Sequence, residues 1–130
     1  MSEAAKPKPG TITWCDLTVS DAPRLRDFYR DVVGWEPQAV SMGDYDDFSM
    51  LVPGTSDAAA GVCHARGSNG DIPPQWLVYI NVADADAAAA RAVERGGQLV
   101  VSPRDMGGGR FCVIRDPAGA VFALFQHPGA

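Results

Sequence analysis

Few side chains in this sequence have the chemistry of a catalyst or of a metal ligand. The two histidines are His64 and His127, and Cys63 directly precedes His64. Neighbouring residues of a β-strand point to opposite faces of the sheet, so Cys63 and His64 are not expected to act together on one ligand. The other cysteines, Cys15 and Cys112, are distant in sequence and no CxxC pair occurs, which argues against a disulfide framework or a thiolate zinc site. The catalytic residues, if there are any, stay unassigned.

Two short motifs are similar to ligand-binding loops but lack their essential residues. The run Asp44-Tyr45-Asp46-Asp47 has no alternating oxygen ligands and no terminal glutamate, so it predicts a solvated hairpin tip rather than a calcium loop. Residues 106–110 read MGGGR without the Lys-Ser/Thr pair and the following helix of a phosphate-binding loop. We expect a flexible hairpin or a loop at the edge of a cleft there.

Composition narrows the class of partner. The 130 residues carry a formal net charge of −5 with no basic cluster, so neither nucleic acid nor an anionic membrane surface is an expected partner. Residues 1–10 have no apolar signal-peptide core, and no stretch of about 18 apolar residues follows. Together with the odd number of cysteines, this predicts a cytoplasmic protein that begins with a flexible, polar arm over residues 1–10.

The order of predicted elements is β-α-β-β-β, twice. A strand over 11–19 precedes a helix that starts at the capping Asp21 and stops at Gly34. The second half repeats this with a strand over 75–82 and an alanine-rich helix that starts at Asp84. The remaining predicted strands are near 35–42, 47–53, 58–65, 98–102, 110–115 and 120–126, and residues 66–74 form a linker.

The two halves can be overlaid, which predicts an internal duplication. Identical residues coincide at the end of the first strand, the helix cap, the helix stop and the third strand. The pairs are Val19 on Val82, Asp21 on Asp84, Ala22 on Ala85, Gly34 on Gly97 and Phe48 on Phe111. One domain over 11–130 would then contain module one, about 11–65, and module two, about 75–127.

The segments LTVSDAPRLRDFYRDVVGW (17–35) and DPAGAVFALF (116–125) resemble the vicinal oxygen chelate superfamily, which contains glyoxalases, bleomycin resistance proteins and dioxygenases. The resemblance implies an α+β fold in which two βαβββ modules form a curved mixed sheet around a cleft, with the helices outside. It also implies a homodimer, with modules paired within or between chains.

Metal-dependent members of this superfamily take their ligands from the first and last strands of each module. The corresponding positions here are Trp14, Leu77 and Ala123, none of which can bind a metal ion, and the fourth lies near Val62. Only Cys63 or His64 could serve at that fourth position. A divalent metal ion needs three or more protein ligands, so we expect neither a metal nor another cofactor.

Strand alternation, continued from these positions, predicts the lining of the cleft. The lining residues are Trp14, Asp16, Leu77, Tyr79, Ala123 and Phe125 with His64, and the third strands add either Phe48, Met50 and Phe111 or the intervening set. The residues of opposite parity should pack against the helices; they are Cys15, Leu17, Trp76, Val78, Ile80 and Leu124.

An aromatic lining with a few polar groups favours a metal-free protein that binds a small, partly aromatic molecule. The alternative is a lyase, isomerase or oxygenase that uses shifted metal ligands, or acid–base chemistry by Asp16, Tyr79 or His64. A third interpretation is a protein-binding module whose cleft is filled by its own side chains.

Overall fold

A computed structural model describes residues 7–128, in which eight strands and two α-helices follow the predicted order. The mixed α+β fold predicted from the sequence is therefore confirmed. The elements are β1 Ile12–Val19, α1 Ala22–Val33, β2 Glu36–Ser41, β3 Asp46–Leu51, β4 Ala58–His64, a 3₁₀ turn Gly67–Asn69, β5 Trp76–Asn81, α2 Ala85–Glu94, β6 Gln98–Met106, β7 Gly109–Arg115 and β8 Val121–Gln126. Within residues 7–128, no helix is long and apolar enough to cross a membrane.

The described residues form two compact units. Unit one is Trp14–Leu77, and unit two contains residues 78–128 together with residues 7–13. In unit one the strand order is β2-β3-β4-β1, with β1 parallel to β4 and the other pairs antiparallel. In unit two the order is β5-β8-β7-β6, with β5 parallel to β8 and the other pairs antiparallel. Each unit thus repeats one topology.

Helix α1 begins and ends where the sequence predicts. The Asp21 carboxylate accepts a hydrogen bond from the Arg24 backbone N–H at 3.2 Å, and Gly34 ends the helix in a left-handed conformation with φ of 89°. The helix packs on one face of its sheet, over a buried cluster of Leu17, Val19, Ala22, Phe48, Met50 and Val62, with Leu25, Tyr29, Trp35 and Trp76 at its margin. The Trp76 indole N–H donates to the Tyr29 hydroxyl at 3.1 Å, which satisfies a polar group inside this cluster.

Helix α2 covers its own sheet in the same manner. Asp84 caps it by accepting from the Ala87 N–H at 3.0 Å. The cluster beneath it contains Ala89, Cys112, Ile114 and Leu124, with Ile80, Val82, Ala88, Ala92 and Phe122 packed around them. The predictions that Leu17 and Trp76 in unit one, and Ile80 and Leu124 in unit two, pack on the helix side are confirmed.

The third strands do not superpose as the sequence overlay suggests. Val62 pairs with Leu17 and Phe48, whereas its counterpart Leu124 pairs with Ile80 and Cys112. The structural equivalent of Phe48 is therefore Cys112, one residue away from Phe111.

This shift corrects two of the predicted lining residues. Phe48 and Met50 belong to the core cluster beneath α1, so in unit one it is the intervening set, including Asp47 and Ser49, that faces away from the helix. In unit two, Cys112 points towards the helix, so its neighbour Phe111 points away from it. A slip of one residue along a strand moves every side chain to the other face, and one residue more separates Ile80 from Cys112 than separates Leu17 from Phe48.

The described part of the predicted N-terminal arm is held by hydrogen bonds. The Gly10 N–H donates to the Asn81 carbonyl at 2.7 Å, and the Asn81 side-chain amide donates to the Pro7 carbonyl at 2.7 Å. Residues 7–10 are thus anchored to β5 rather than loose. The rest of that arm, residues 1–6, lies outside the described residues.

Candidate functional site

The sheet of unit one has a polar and aromatic face on the side away from α1, which we term the distal face. Leu17 and Val62 point towards the helix, so Asp16 and its partner Gly61 on the neighbouring strand lie on the distal face. Trp14 shares the phase of Asp16. The predicted grouping of Trp14 with Asp16 is therefore seen within one strand.

Trp14 is fixed in place by the residues around it. Its indole N–H donates to the Asp16 carboxylate at 3.3 Å. A Cβ atom added to Gly61 would lie 3.2 Å from the Asp16 Cβ and 3.4 Å from Trp14 Cζ2, so the absent side chain at Gly61 makes room for the ring. Asp16 is only 8% exposed, while Trp14 is half-buried. An accessible aromatic surface thus lies beside a buried carboxylate.

Cys63 comes next along β4, and it is a protonated thiol. Burial, reinforced by the nearby carboxylates of Asp16 and Asp47, raises the pKa of Cys63 far above its usual value of 9.0. The thiol also donates a hydrogen bond to Asp47. Because the thiolate is the nucleophilic form, Cys63 is not an activated nucleophile in this setting.

Asp47 orients the imidazole of His64. One oxygen of Asp47 accepts from the His64 backbone N–H at 2.9 Å and lies 3.2 Å from His64 Nδ1. A carboxylate can only accept, so Nδ1 carries the hydrogen and, in the neutral ring, Nε2 holds the free lone pair. The two side chains are 18% and 14% exposed for His64 and Asp47. His64 is thus the last residue of β4 and has a defined tautomer. Although Cys63 and His64 alternate along the strand, the Asp47 side chain contacts both of them.

Two further side chains, Tyr45 and Arg66, extend the row of contacting residues that begins at Trp14. The Tyr45 ring meets the His64 ring edge-on, with centroids 5.2 Å apart. The guanidinium of Arg66 lies over the other end of the row, with Cζ 4.0 Å from the centre of the Tyr45 ring. We call the whole set the track, and its members are Trp14, Asp16, Gly61, Cys63, Asp47, His64, Tyr45 and Arg66.

Sequence reasoning did not find Tyr45, Asp47 and Arg66. The sequence predicts a solvated hairpin tip over 44–47, which contains the first two, and a linker over 66–74, which contains Arg66. The hairpin between β3 and β4 pairs Phe48 with Val62, which brings Asp47 beside Cys63 and His64. An acidic residue diagonally across an antiparallel strand pair from a histidine was the signal available in the sequence.

The matching face of unit two is more completely buried. Tyr79 and Phe111 stack with centroids 6.4 Å apart, and Arg104 Cζ lies 4.7 Å from the centre of the Phe111 ring. Tyr79 is 7% exposed, Phe111 is 1% exposed and Ala123 is fully buried. Phe125 is half-buried and lies against Gly109. These rings form a core with one accessible edge.

The predicted lining residues therefore fall into three groups. Trp14, His64 and Phe125 are partly accessible. Asp16, Leu77, Tyr79, Phe111 and Ala123 are buried, and Phe48 and Met50 lie in the core beneath α1. His127, the other histidine, contacts Asn81 Oδ1 through Nδ1 at 2.7 Å.

Comparison with known proteins identifies the family. The model for the glyoxalase/bleomycin resistance protein/dioxygenase superfamily matches residues 11–124. The chain belongs to this superfamily. This confirms the resemblance seen in the sequence. The family model covers most of the chain, and two curated relatives and two solved structures show how the likeness is distributed.

Several curated relatives exceed 30% identity, of which two serve as examples. CFP32 of Mycobacterium tuberculosis (strain CDC 1551 / Oshkosh), whose name marks it as a candidate glyoxylase, is 38% identical over 119 residues, 90% of this chain and 44% of the relative. The anthracycline biosynthesis protein DnrV of Streptomyces peucetius is 35% identical over 130 residues, 91% of this chain and 47% of the relative. The chain thus spans less than half the length of either relative.

Solved structures share the superfamily fold at low identity. A methylmalonyl-CoA epimerase from Mycobacterium tuberculosis has a TM-score of 0.55 and 19% identity, covering 98% of this chain and 94% of its own. A superfamily member from Vibrio splendidus 12B01 has a TM-score of 0.58 and 16% identity, covering 90% of this chain and all of its own. At such identities the likeness establishes the fold alone.

The superfamily's metal site does not fit the residues present here. Trp14, Leu77 and Ala123 stand where the resemblance assigns ligands, and their side chains offer no suitable ligand atom. Across residues 7–128, no group of three or more His, Cys, Asp or Glu side chains is placed to hold a metal ion.

Proposed function

We propose that this superfamily member binds a small, partly aromatic molecule against the track of unit one, without a metal cofactor. The observation that carries the proposal is the half-buried Trp14 indole, which Asp16 and Gly61 hold in one orientation. A fixed aromatic surface beside a few polar groups is the usual composition of a small-molecule site. Asp16 and the Nε2 atom of His64 would then orient the ligand through hydrogen bonds.

The relatives support an aromatic ligand. DnrV takes its name from anthracycline biosynthesis, and anthracyclines are planar polycyclic compounds. Because DnrV is more than twice as long as the segment that matches, its activity is not carried over to this chain. An anthracycline is nevertheless a rational first probe.

Tryptophan fluorescence tests the proposal. The chain has three tryptophans, and Trp35 and Trp76 both pack in the cluster beneath α1, so only Trp14 reports on the distal face. We expect saturable quenching of the Trp14 emission by an anthracycline. Calorimetric titration should show at least about a tenfold weaker affinity in Trp14→Phe, because a large contact surface is lost.

Trp35→Phe is the matched control and should retain the wild-type affinity. Quenching that saturates equally in Trp14→Phe would place the ligand elsewhere. Absence of saturable quenching by a panel of planar aromatic compounds would reject the proposal.

A second candidate function is acid–base catalysis, and the Asp47–His64 pair favours it. A histidine whose Nδ1–H is held by a carboxylate presents Nε2 as a base, which suits proton abstraction by a lyase or isomerase. Methylmalonyl-CoA, named with several solved structures of this fold, is a suitable carbon-acid probe. Protein-dependent uptake of deuterium from heavy water, lost in His64→Gln, would support catalysis, and exchange at the buffer rate would reject it for this probe.

We also propose a cytoplasmic homodimer. Two copies of this chain would match the length of relatives of which it covers 44% and 47%, and all three cysteines are free thiols, as a reducing compartment requires. Native mass spectrometry of untagged protein should show a dimer. A monomer at micromolar concentration would contradict the oligomeric part of the proposal.

A further inference from the structure

Arg66 stands at one end of the track, where an aromatic ring supports its guanidinium. Arg66 is exposed, and its Cζ lies 4.0 Å from the centre of the Tyr45 ring. By contrast, Arg26, Arg30 and Arg110 are each paired with aspartates. Within residues 7–128, no carboxylate lies within 4.0 Å of the Arg66 guanidinium. Its N–H groups are thus available to an external acceptor.

The surroundings hold Arg66 in a fixed place. The Tyr45 ring contacts the guanidinium on one side, and because Arg66 is otherwise exposed, its N–H groups are accessible. Tyr45 in turn contacts the His64 ring, and Asp47 holds His64 through one hydrogen bond to the ring and one to the backbone N–H. A guanidinium that is already oriented loses less side-chain entropy when it binds a ligand than a freely rotating one.

The aspartates near Arg66 leave room for an anion at the Arg66 end of the track. Asp47 already accepts the two hydrogen bonds of His64 and that of the Cys63 thiol. Asp44 and Asp46 belong to the same hairpin but are exposed to water, where their repulsion of an anion is screened. An anionic group in direct contact with Arg66 therefore gains more from two charge-assisted hydrogen bonds than it loses to these aspartates.

We propose, building on the function above, that Arg66 and Tyr45 form a subsite for the carboxylate of a small aromatic acid. The fork of N–H groups on a guanidinium matches the two oxygens of a carboxylate. The Tyr45 and His64 rings line the approach from that subsite along the track, which suits an aromatic body attached to the carboxylate.

Calorimetric titration with a matched pair of probes tests the subsite. The probes are 2-naphthoate and its neutral isostere 2-naphthamide. Wild-type protein should bind the acid about tenfold more tightly than the amide, and the preference should shrink as salt is added. The Arg66→Gln variant should lose the preference, and Arg66→Lys should keep only part of it because an ammonium lacks the planar fork.

Arg24→Gln is the control variant, since Arg24 is another exposed arginine of unit one and its loss changes the net charge equally. It should keep the wild-type preference. Equal affinity for acid and amide, with Trp14 still reporting binding, would overturn the carboxylate subsite and leave the proposed function intact. Binding of neither probe up to millimolar concentration, together with failure of the anthracycline titration, would overturn both.

Discussion

At the scale of single residues, Cys63 shows how the track controls reactivity. The thiol lies near the carboxylates of Asp16 and Asp47 and is largely buried, so the negative thiolate is disfavoured by lost hydration and by two like charges. A folded-state pKa above the unfolded value means that the stabilising effect of this protonated thiol is present below about pH 9 and declines as the pH rises further. The same carboxylates remain free to orient Trp14 and His64.

Slow alkylation of Cys63 is the measurable consequence. At pH 8, iodoacetamide should modify Cys63 of the native protein at least about tenfold more slowly than an unhindered thiol, because almost no thiolate is present. Peptide mapping by mass spectrometry measures the rate. Asp47→Asn removes one carboxylate and should accelerate the reaction. Rapid alkylation of Cys63 in the wild-type protein would show that the thiol is activated after all.

At the scale of secondary-structure elements, the sequence predicts which helices and strands form, and in what order. It predicts less well which face of the sheet each side chain of a strand occupies. Helix caps at Asp21 and Asp84 and the alternation in β1 and β5 are local signals, so both helices and their partner strands were predicted correctly. Which face a side chain of β3 or β7 occupies depends on the chain length between the first and third strands of the unit. One residue more separates Ile80 from Cys112 than separates Leu17 from Phe48. This is why Phe48 and Phe111 coincide in sequence but differ in environment.

The candidate site was predicted in part for the same reason. Trp14 and Asp16 are two residues apart in one strand, so alternation was enough to place them together. Asp47, Tyr45 and Arg66 reach the track only through the register of β3 on β4 and the ring contacts at the hairpin. Tertiary contacts of this kind leave no periodic pattern in the sequence.

Two glycines permit aromatic rings to lie across their strands, and they should differ in tolerance. A Cβ at Gly109 would lie 2.5 Å from the Gln126 backbone oxygen and 2.5 Å from Phe125 Cζ, so β8 itself would have to move. At Gly61 the nearest atoms are side-chain atoms, at 3.2 and 3.4 Å. We expect Gly61→Ala to cost about 1–3 kcal/mol and Gly109→Ala more, as overpacked sites do.

Urea denaturation measures both free energies of unfolding. Gly61→Ala should also shift the Trp14 emission, because the indole must move, whereas Gly109→Ala in unit two should leave that emission unchanged in the folded protein. The reverse order of stability would show that the strands of unit two yield more easily than those of unit one.

At the scale of the whole molecule, the two ends of the described chain meet at one side chain. Asn81, 4% exposed, donates through its amide to the Pro7 carbonyl and contacts His127 Nδ1 through its oxygen. Because a carbonyl only accepts, the amide orientation is fixed, and the Asn81 oxygen must accept from His127. The segment before β1 and the segment after β8 are thus joined through β5, although they are far apart in sequence.

Removing this side chain should therefore loosen both ends at once. Asn81→Ala deletes two hydrogen bonds at a buried position and should lower the free energy of unfolding by about 1–3 kcal/mol. Asn81→Asp retains the acceptor for His127 but cannot donate to Pro7, so it should release only the N-terminal segment.

Two measurements together distinguish the variants. The first is hydrogen exchange at the Gly10 amide, which donates to the Asn81 carbonyl at 2.7 Å. It should accelerate in both variants, whereas the Nδ1–H signal of His127 in ¹⁵N spectra should change environment strongly only in Asn81→Ala. Unaltered exchange at Gly10 in both would mean that the backbone bonds to β5 hold the N-terminal segment without the side chain.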